Sequence, residues 1–458
     1  MEHSRGSFIP ANNHSLPGKM NTSVPLPDHF LLEEKAKVIE ALVEDCMIAP
    51  SGVVYSQINN DTGKPWTAED WREDYRFLEI PNTTPWEVLG FENCGMVTGA
   101  YLAAMTFKYK MTGSAEALAV AGRTFEGLVH IYGIGKTMEE GFFPKIYGGK
   151  FTRQTSSDQY LYAMKAMKIY HDIAAPDQQA QIEEMVGAMA GFWMKRAYHY
   201  GYYTIPDMLW PLGRFPSFMI MAHALTGAQK YLDEFDRLNR EHEVYRHPAD
   251  SILSHRAARS GFTDYEKLMG KRYLLGALEE AAAMDIMSLD ECLKHSDAHR
   301  ENWISSMRQM WREGQIGLAP QGMSYRHVLY DPHTGAVSPI PAPYEEPASG
   351  PVPAGSLQWD FFSWFANILL PRGVMLARAG VNVDRWLPGE KAREIASRIL
   401  TEAPIKLMRA RIDPDGNQLL PRHSYMANSL CGDALVNWLW AYWEGAFQSK
   451  SNKRKIQP

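Results

Sequence analysis

The chain has 458 residues, 45% of them apolar and 22% charged, and a net charge of −6, which allows a large core and argues against nucleic acid as a partner. Its four cysteines (Cys46, Cys94, Cys292, Cys431) show no C-x-x-C spacing, so no zinc or redox centre and no cofactor is expected. No apolar run reaches the ~20 residues of a membrane span, and no charged segment followed by an apolar stretch opens the chain, so the expectation is a soluble, cytoplasmic protein.

Residues 1–28, with Pro10, Pro17, Pro25 and Pro27, read as an extended arm. Residues 29–448 show no shift in composition and read as one domain, and 449–458 as a flexible polar tail. Apolar periodicity and stop signals predict about twelve helices. They cover 31–48, 94–111, 115–131, 157–174, 177–198, 215–226, 228–243, 265–287, 299–314, 358–379, 390–411 and 424–447.

Two regularities organise these segments. Even-numbered helices are apolar on all sides and rich in small residues, as at Gly99, Ala100, Ala103 and Ala104, so they must be buried all round. Odd-numbered helices carry the charge, as at Glu116, Arg123 and Glu126. The link after each even helix is short: Thr112-Gly113-Ser114, Ala175-Pro176, Thr226-Gly227. The links leading into the even helices run to tens of residues and hold Trp, Tyr, Arg, His and Gly, as functional loops do. Six hairpins of this kind predict an all-α, (α/α)6 toroid: an inner ring, an outer ring, and long loops crowding one face. A solenoid would not show this asymmetry of loop length.

The site is then expected at the N-terminal ends of the inner helices, where unpaired N–H groups and the positive end of the helix dipole favour oxygen-rich or anionic ligands. Asp158 falls in the first turn after Ser156-Ser157, behind a loop that brings Lys145, Arg153, Phe142 and Phe143. Glu92 stands at the start of the preceding inner helix, and either carboxyl could serve as a capping group instead. Trp210, in Leu209-Trp210-Pro211, suits a sugar-stacking platform and Trp359 sits in a comparable position before Asp360. Arg153, Arg214, Arg326 and Arg422 converge on the same rim, and arginine forks bind carboxylates bidentately, which points to an acidic sugar. Arg422-His423-Ser424-Tyr425 is a further substrate-binding candidate, while Asp413 to Asn417 resembles a calcium loop that turn chemistry explains without a metal.

The stretch from Gly141-Phe142 to Ser157-Asp158-Gln159-Tyr160, together with the twelve-helix layout, resembles the (α/α)6-barrel glycoside hydrolases, in particular the unsaturated glucuronyl and rhamnogalacturonyl hydrolases. The resemblance implies that Asp158 is the general acid/base. The second signature aspartate of those enzymes has no match here, since Glu92-Asn93 occupies the place. That departure leaves ordinary glycoside hydrolysis open beside hydration of an unsaturated uronide, and hydrolysis needs two carboxyl groups. The expected catalytic pair is Asp158 with Glu92, with Asp207 and Asp360 as other sources of the second carboxyl. The expected substrate is an acidic oligosaccharide, and homo-oligomerisation is left open. A lyase using Arg422, His423, Tyr425 and Asn428 is the alternative chemistry. Behind it stand an epimerase using His255 and His423, and a non-catalytic scaffold.

Overall fold

The computed structural model describes residues 32–71, 77–78, 80, 82–202, 205–206, 214–241, 273–276, 278–319, 322–325, 327–331, 334, 336–338, 351–352, 369–403, 405 and 429–456. Its helices are α1 (Leu32–Cys46), the short α2 (Pro85–Phe91), α3 (Cys94–Thr112), α4 (Ala115–Lys136), α5 (Ser157–His171), α6 (Pro176–Lys195), α7 (Phe215–Thr226), α8 (Gln229–Glu241), α9 (Leu278–His295), α10 (Arg300–Gly314), α11 (Gly373–Trp386), α12 (Ala392–Glu402) and α13 (Gly432–Ile456). Helices α3, α5, α7, α9, α11 and α13 pack each on the next, and α13 returns to α3, closing an inner ring. Helices α4, α6, α8, α10 and α12 each lie against the inner helix that precedes them, and α1 against α13. The chain is an (α/α)6 toroid.

Burial follows the expected division. Every residue of α3 from Cys94 to Phe107 is buried. The outer helices bury one stripe only, such as Tyr231, Phe235 and Leu238 in α8, or Ala392, Ala396, Ile399 and Leu400 in α12. The tight inner-to-outer turns have local causes. Gly113 adopts φ +74° and its N–H bonds Tyr109 O to stop α3. The next residue, Ser114, then caps α4 by accepting the N–H of Ala117 at 3.2 Å.

The outer-to-inner loops carry short strands instead. β1 (Gln57–Asn59) pairs antiparallel with β4 (Ser429–Cys431), in register Gln57↔Cys431. That ladder ties the loop after α1 to the residues just before α13 and completes the ring. β2 (Tyr273–Gly276) leads into α9 and pairs with β3 (His327–Tyr330).

The first seven predicted helices agree with the structure within a few residues. Three later inner helices do not begin where the periodicity placed them. The first residues of the segments 265–287, 358–379 and 424–447 lie outside the described residues, and the helices described there, α9, α11 and α13, start at Leu278, Gly373 and Gly432. Part of the first misplaced stretch is β2, whose Tyr-Leu-Leu run has no helical period to distinguish it. Helix α13 also continues to Ile456, through most of the stretch expected as a flexible tail. Among the described residues no helix is long and apolar enough to cross a membrane, and no group of three His, Cys, Asp or Glu side chains could hold a metal ion.

Candidate functional site

The six inner helices bring their N-terminal ends to one face, and a ring of polar side chains connects them. Asn93, the residue before α3, donates from Nδ2 to Oδ2 of Asp433 in the first turn of α13 at 3.0 Å. Gln159 of α5 donates from Nε2 to Asp158 Oδ2 at 3.1 Å and to Asn93 Oδ1 at 3.5 Å. Arg372, the residue before α11, lies 3.6 Å from Asp433 Oδ2 and donates from Nη1 to Glu280 Oε2 of α9 at 2.7 Å. Arg214, the residue before α7, closes the circuit by donating to Asp285 Oδ1 of α9 at 3.0 Å and to Ser157 Oγ of α5 at 3.3 Å.

Local backbone features set these positions. The Ser56 hydroxyl accepts the N–H of Asn93 at 2.7 Å, and its carbonyl accepts the N–H of Gly432 at 2.8 Å, so one loop residue fixes the starts of α3 and α13. Gln159 Oε1 accepts the N–H of Met96 at 3.1 Å, capping α3 from the neighbouring helix. Gly95 leaves room for that contact, since a Cβ there would sit 2.8 Å from Gln159 Oε1 and 2.6 Å from the Phe143 ring. A layer deeper, the fully buried Arg378 donates to Asn437 Oδ1 at 3.2 Å and to the Ala283 carbonyl at 2.9 Å, with the Trp440 ring 4.8 Å from its guanidinium.

The carboxyls of the ring differ in environment. Asp158 and Glu280 are half-buried, whereas Asp433 is buried and its Oδ1 has no hydrogen-bond partner among the described residues. Burial pushes the Asp433 carboxyl up to about 6, against the pull of Arg372, with Glu280 and Asp158 adding to the rise. A carboxyl of this kind can hold a proton near neutrality, a property that acid–base work uses.

The residues singled out by sequence divide into three groups. Asp158 lies in the first turn of α5, as the Ser156-Ser157 signal predicted. Neither serine hydroxyl caps the helix, however; Ser157 Oγ accepts from Arg214 instead. Glu92 faces the loop before α5, where Lys145 Nζ donates to it at 2.5 Å and the Tyr147 hydroxyl at 2.6 Å. Lys145 therefore serves Glu92. Phe142 and Phe143 are core residues, pinned to α5 where Phe143 N–H donates to the Tyr160 hydroxyl and that hydroxyl donates to Gly141 O. Arg153 is exposed, five residues before Asp158, and Arg214 is buried in its ion pair with Asp285. Trp210, Arg326, Trp359, Arg422, His423 and Tyr425, with Asp207 and Asp360, lie outside the described residues.

The sequence reading missed Glu280, Arg372 and Asp433, because the helices they begin were placed too early. Their signals were present: two acidic residues in succession at Glu279-Glu280, and an acidic residue right after Gly432. It also missed the tryptophans of the loop before α3, where Trp71 lies 6.4 Å from Trp66 and 6.3 Å from Trp86 by ring centroid.

Sequence comparison finds no matching family model and no matching curated protein. Solved structures do match the fold. A cellobiose 2-epimerase from Bacillus thermoamylovorans aligns over 90% of this chain and 99% of its own, at 9% identity and a TM-score of 0.50. A cellobiose 2-epimerase from Spirochaeta thermophila aligns over 93% and 100%, at 12% identity and 0.49. An unsaturated glucuronyl hydrolase specific for heparin aligns over 93% and 98%, at 12% identity and 0.45. The first of these likenesses bears out the toroid fold.

Proposed function

We propose that this chain is a carbohydrate-active enzyme, a glycoside hydrolase acting on oligosaccharides that contain uronic acids, with Asp158 as its general acid/base. The observation that carries this reading is the ring itself: carboxyl, amide and guanidinium side chains joined across six helix N-termini, with Asp158 partly open to solvent. The carboxyls the ring contains support carboxyl-based hydrolysis. The shared fold with a cellobiose 2-epimerase supports a sugar as the substrate class. The exposed Arg153 supports an acidic one, since a guanidinium fork matches a uronate carboxylate.

In this reading Asp158 protonates the departing oxygen or activates water, and the helix N-termini stabilise negative charge on the sugar. Glu92 was the partner carboxyl suggested by sequence. Its two oxygens are occupied by Lys145 and Tyr147, an arrangement that suits holding the loop before α5 in place.

Oligouronides and their neutral counterparts, offered to the wild-type protein and to Asp158→Asn, test the proposal through release of reducing ends. Acidic substrates should be preferred, and the variant should lose roughly 10²- to 10⁴-fold in turnover with an unchanged circular dichroism spectrum. Wild-type turnover in the variant would remove Asp158 from the mechanism, and ultraviolet absorbance from a new sugar double bond would replace hydrolysis by elimination.

A further inference from the structure

We infer that Asp433 is the positioning residue of this site: it governs Asp158 through a hydrogen-bond chain that crosses α13, α3 and α5. The direction of that chain is fixed by its one invariable donor. The backbone N–H of Met96 can only donate, so the Gln159 atom 3.1 Å from it is Oε1. The Gln159 amide nitrogen then faces the other way and donates both to Asp158 Oδ2 and to Asn93 Oδ1. Asn93 in turn can present only Nδ2 to Asp433, whose Oδ2 accepts at 3.0 Å. Arg372 approaches the same oxygen. Both donors therefore land on Oδ2, and a proton carried by Asp433 resides on Oδ1, the oxygen without a partner among the described residues.

Among the described residues, four elements face this carboxyl: Asn93 from α3, Asp158 from α5, Glu280 from α9 and Arg372 from α11. Ionisation of Asp433 adds a negative charge at the far end of the chain and strengthens its hold on the Asn93 amide. Both effects act on the Gln159 amide that holds Asp158 Oδ2, so the protonation state of the buried acid bears on how the partly exposed one is held. Asn93 is suited to the task because its side chain makes no capping bond to its own helix.

The kinetic arm of the test rests on the hydrolase reading, whereas the thermal arm needs no substrate. Melting temperatures of wild-type, Asp433→Asn, Asp158→Asn and the double variant are compared from pH 4 to pH 8. The melting temperature of wild-type relative to Asp433→Asn should fall as pH rises through about 6. In the Asp158→Asn background the midpoint of that fall should move to lower pH, because one neighbouring negative charge is gone. A flat difference, or a midpoint that Asp158→Asn leaves in place, overturns the coupling. Where turnover is measurable, Asp433→Asn and Asn93→Ala should displace the acid limb of the kcat/KM profile in the same direction. An unmoved limb in both variants refutes the positioning role, and a shift in Asp433→Asn alone refutes the route through Asn93. Absence of turnover with an intact thermal coupling counts against the hydrolase reading only.

Discussion

The barrel has a polar layer at each end, and the two are built to different rules. At the C-terminal end of the inner helices, Asp290 and Glu291 of α9 are fully buried, with Lys165 of α5 between them. Asp290 Oδ1 takes Arg385 and the Trp386 indole, and its Oδ2 takes Lys165 and Lys294 at 2.6 Å. Glu291 takes Lys165, Lys168 and Lys294. Each carboxylate oxygen there has a cation or N–H donor, and Asp290 is held well below the usual carboxylate range despite its burial, by Lys294, Arg385 and Lys165. At the N-terminal end the ring leaves Asp433 Oδ1 and Ser156 Oγ without partners among the described residues, and the Asp433 carboxyl rises to about 6. One end spends its charges on mutual satisfaction and the other keeps acidic groups in reserve, which is the usual mark of where a ligand acts.

Four changes would break or sharpen this contrast. The largest effect is expected from Asp290→Ala, which strips Lys165 of one of its two carboxylates in the protein interior. A loss of about 3–5 kcal/mol in denaturant unfolding is expected, with the acid–base behaviour of the mouth unchanged. At the mouth, Asp433→Asn should have the opposite sign. The folded carboxyl titrates near 6 and the unfolded one near 3.8, so its contribution to stability is complete below about pH 4 and is lost as pH rises past 6. Relative to its value at pH 4, the variant should gain at most about 3 kcal/mol over wild-type at pH 8, from a shift of roughly two units. Gly95→Ala places a methyl against Phe143 and Gln159. It should cost about 1–3 kcal/mol by overpacking and reduce turnover through Gln159, read by calorimetry and by kinetics on the same sample. Ser114→Ala, in the turn between α3 and α4, should cost about 1 kcal/mol through the lost cap of α4 and leave activity untouched.

The same contrast explains what could be read from the residues alone. The alternation of short and long links revealed the toroid because it depends on local chemistry: Gly113 can take a positive φ and Ser114 can cap, wherever the rest of the chain goes. The place of Asp158 in the first turn of a helix was legible too, although neither serine before it caps α5. The polar ring was not, since its bonds join residues from distant segments, as Asn93 joins Asp433. Nor does the sequence distinguish Arg214, buried against Asp285, from Arg153, exposed nearby. The motif that carried the family resemblance also has a structural task, because Tyr160 fastens the loop at Gly141 and Phe143 to α5.

The β1–β4 ladder has a kinetic consequence. It pairs Gln57 with Cys431, so the closing contact joins residues more than 370 positions apart. Hairpins such as α3–α4 or α7–α8 can form from neighbouring sequence, but closure over such a loop is slow and entropically costly. The helix that carries Asp433 is also the one that shuts the ring. Acid–base competence should therefore emerge in refolding only with the slowest phase, after most helical signal has already returned.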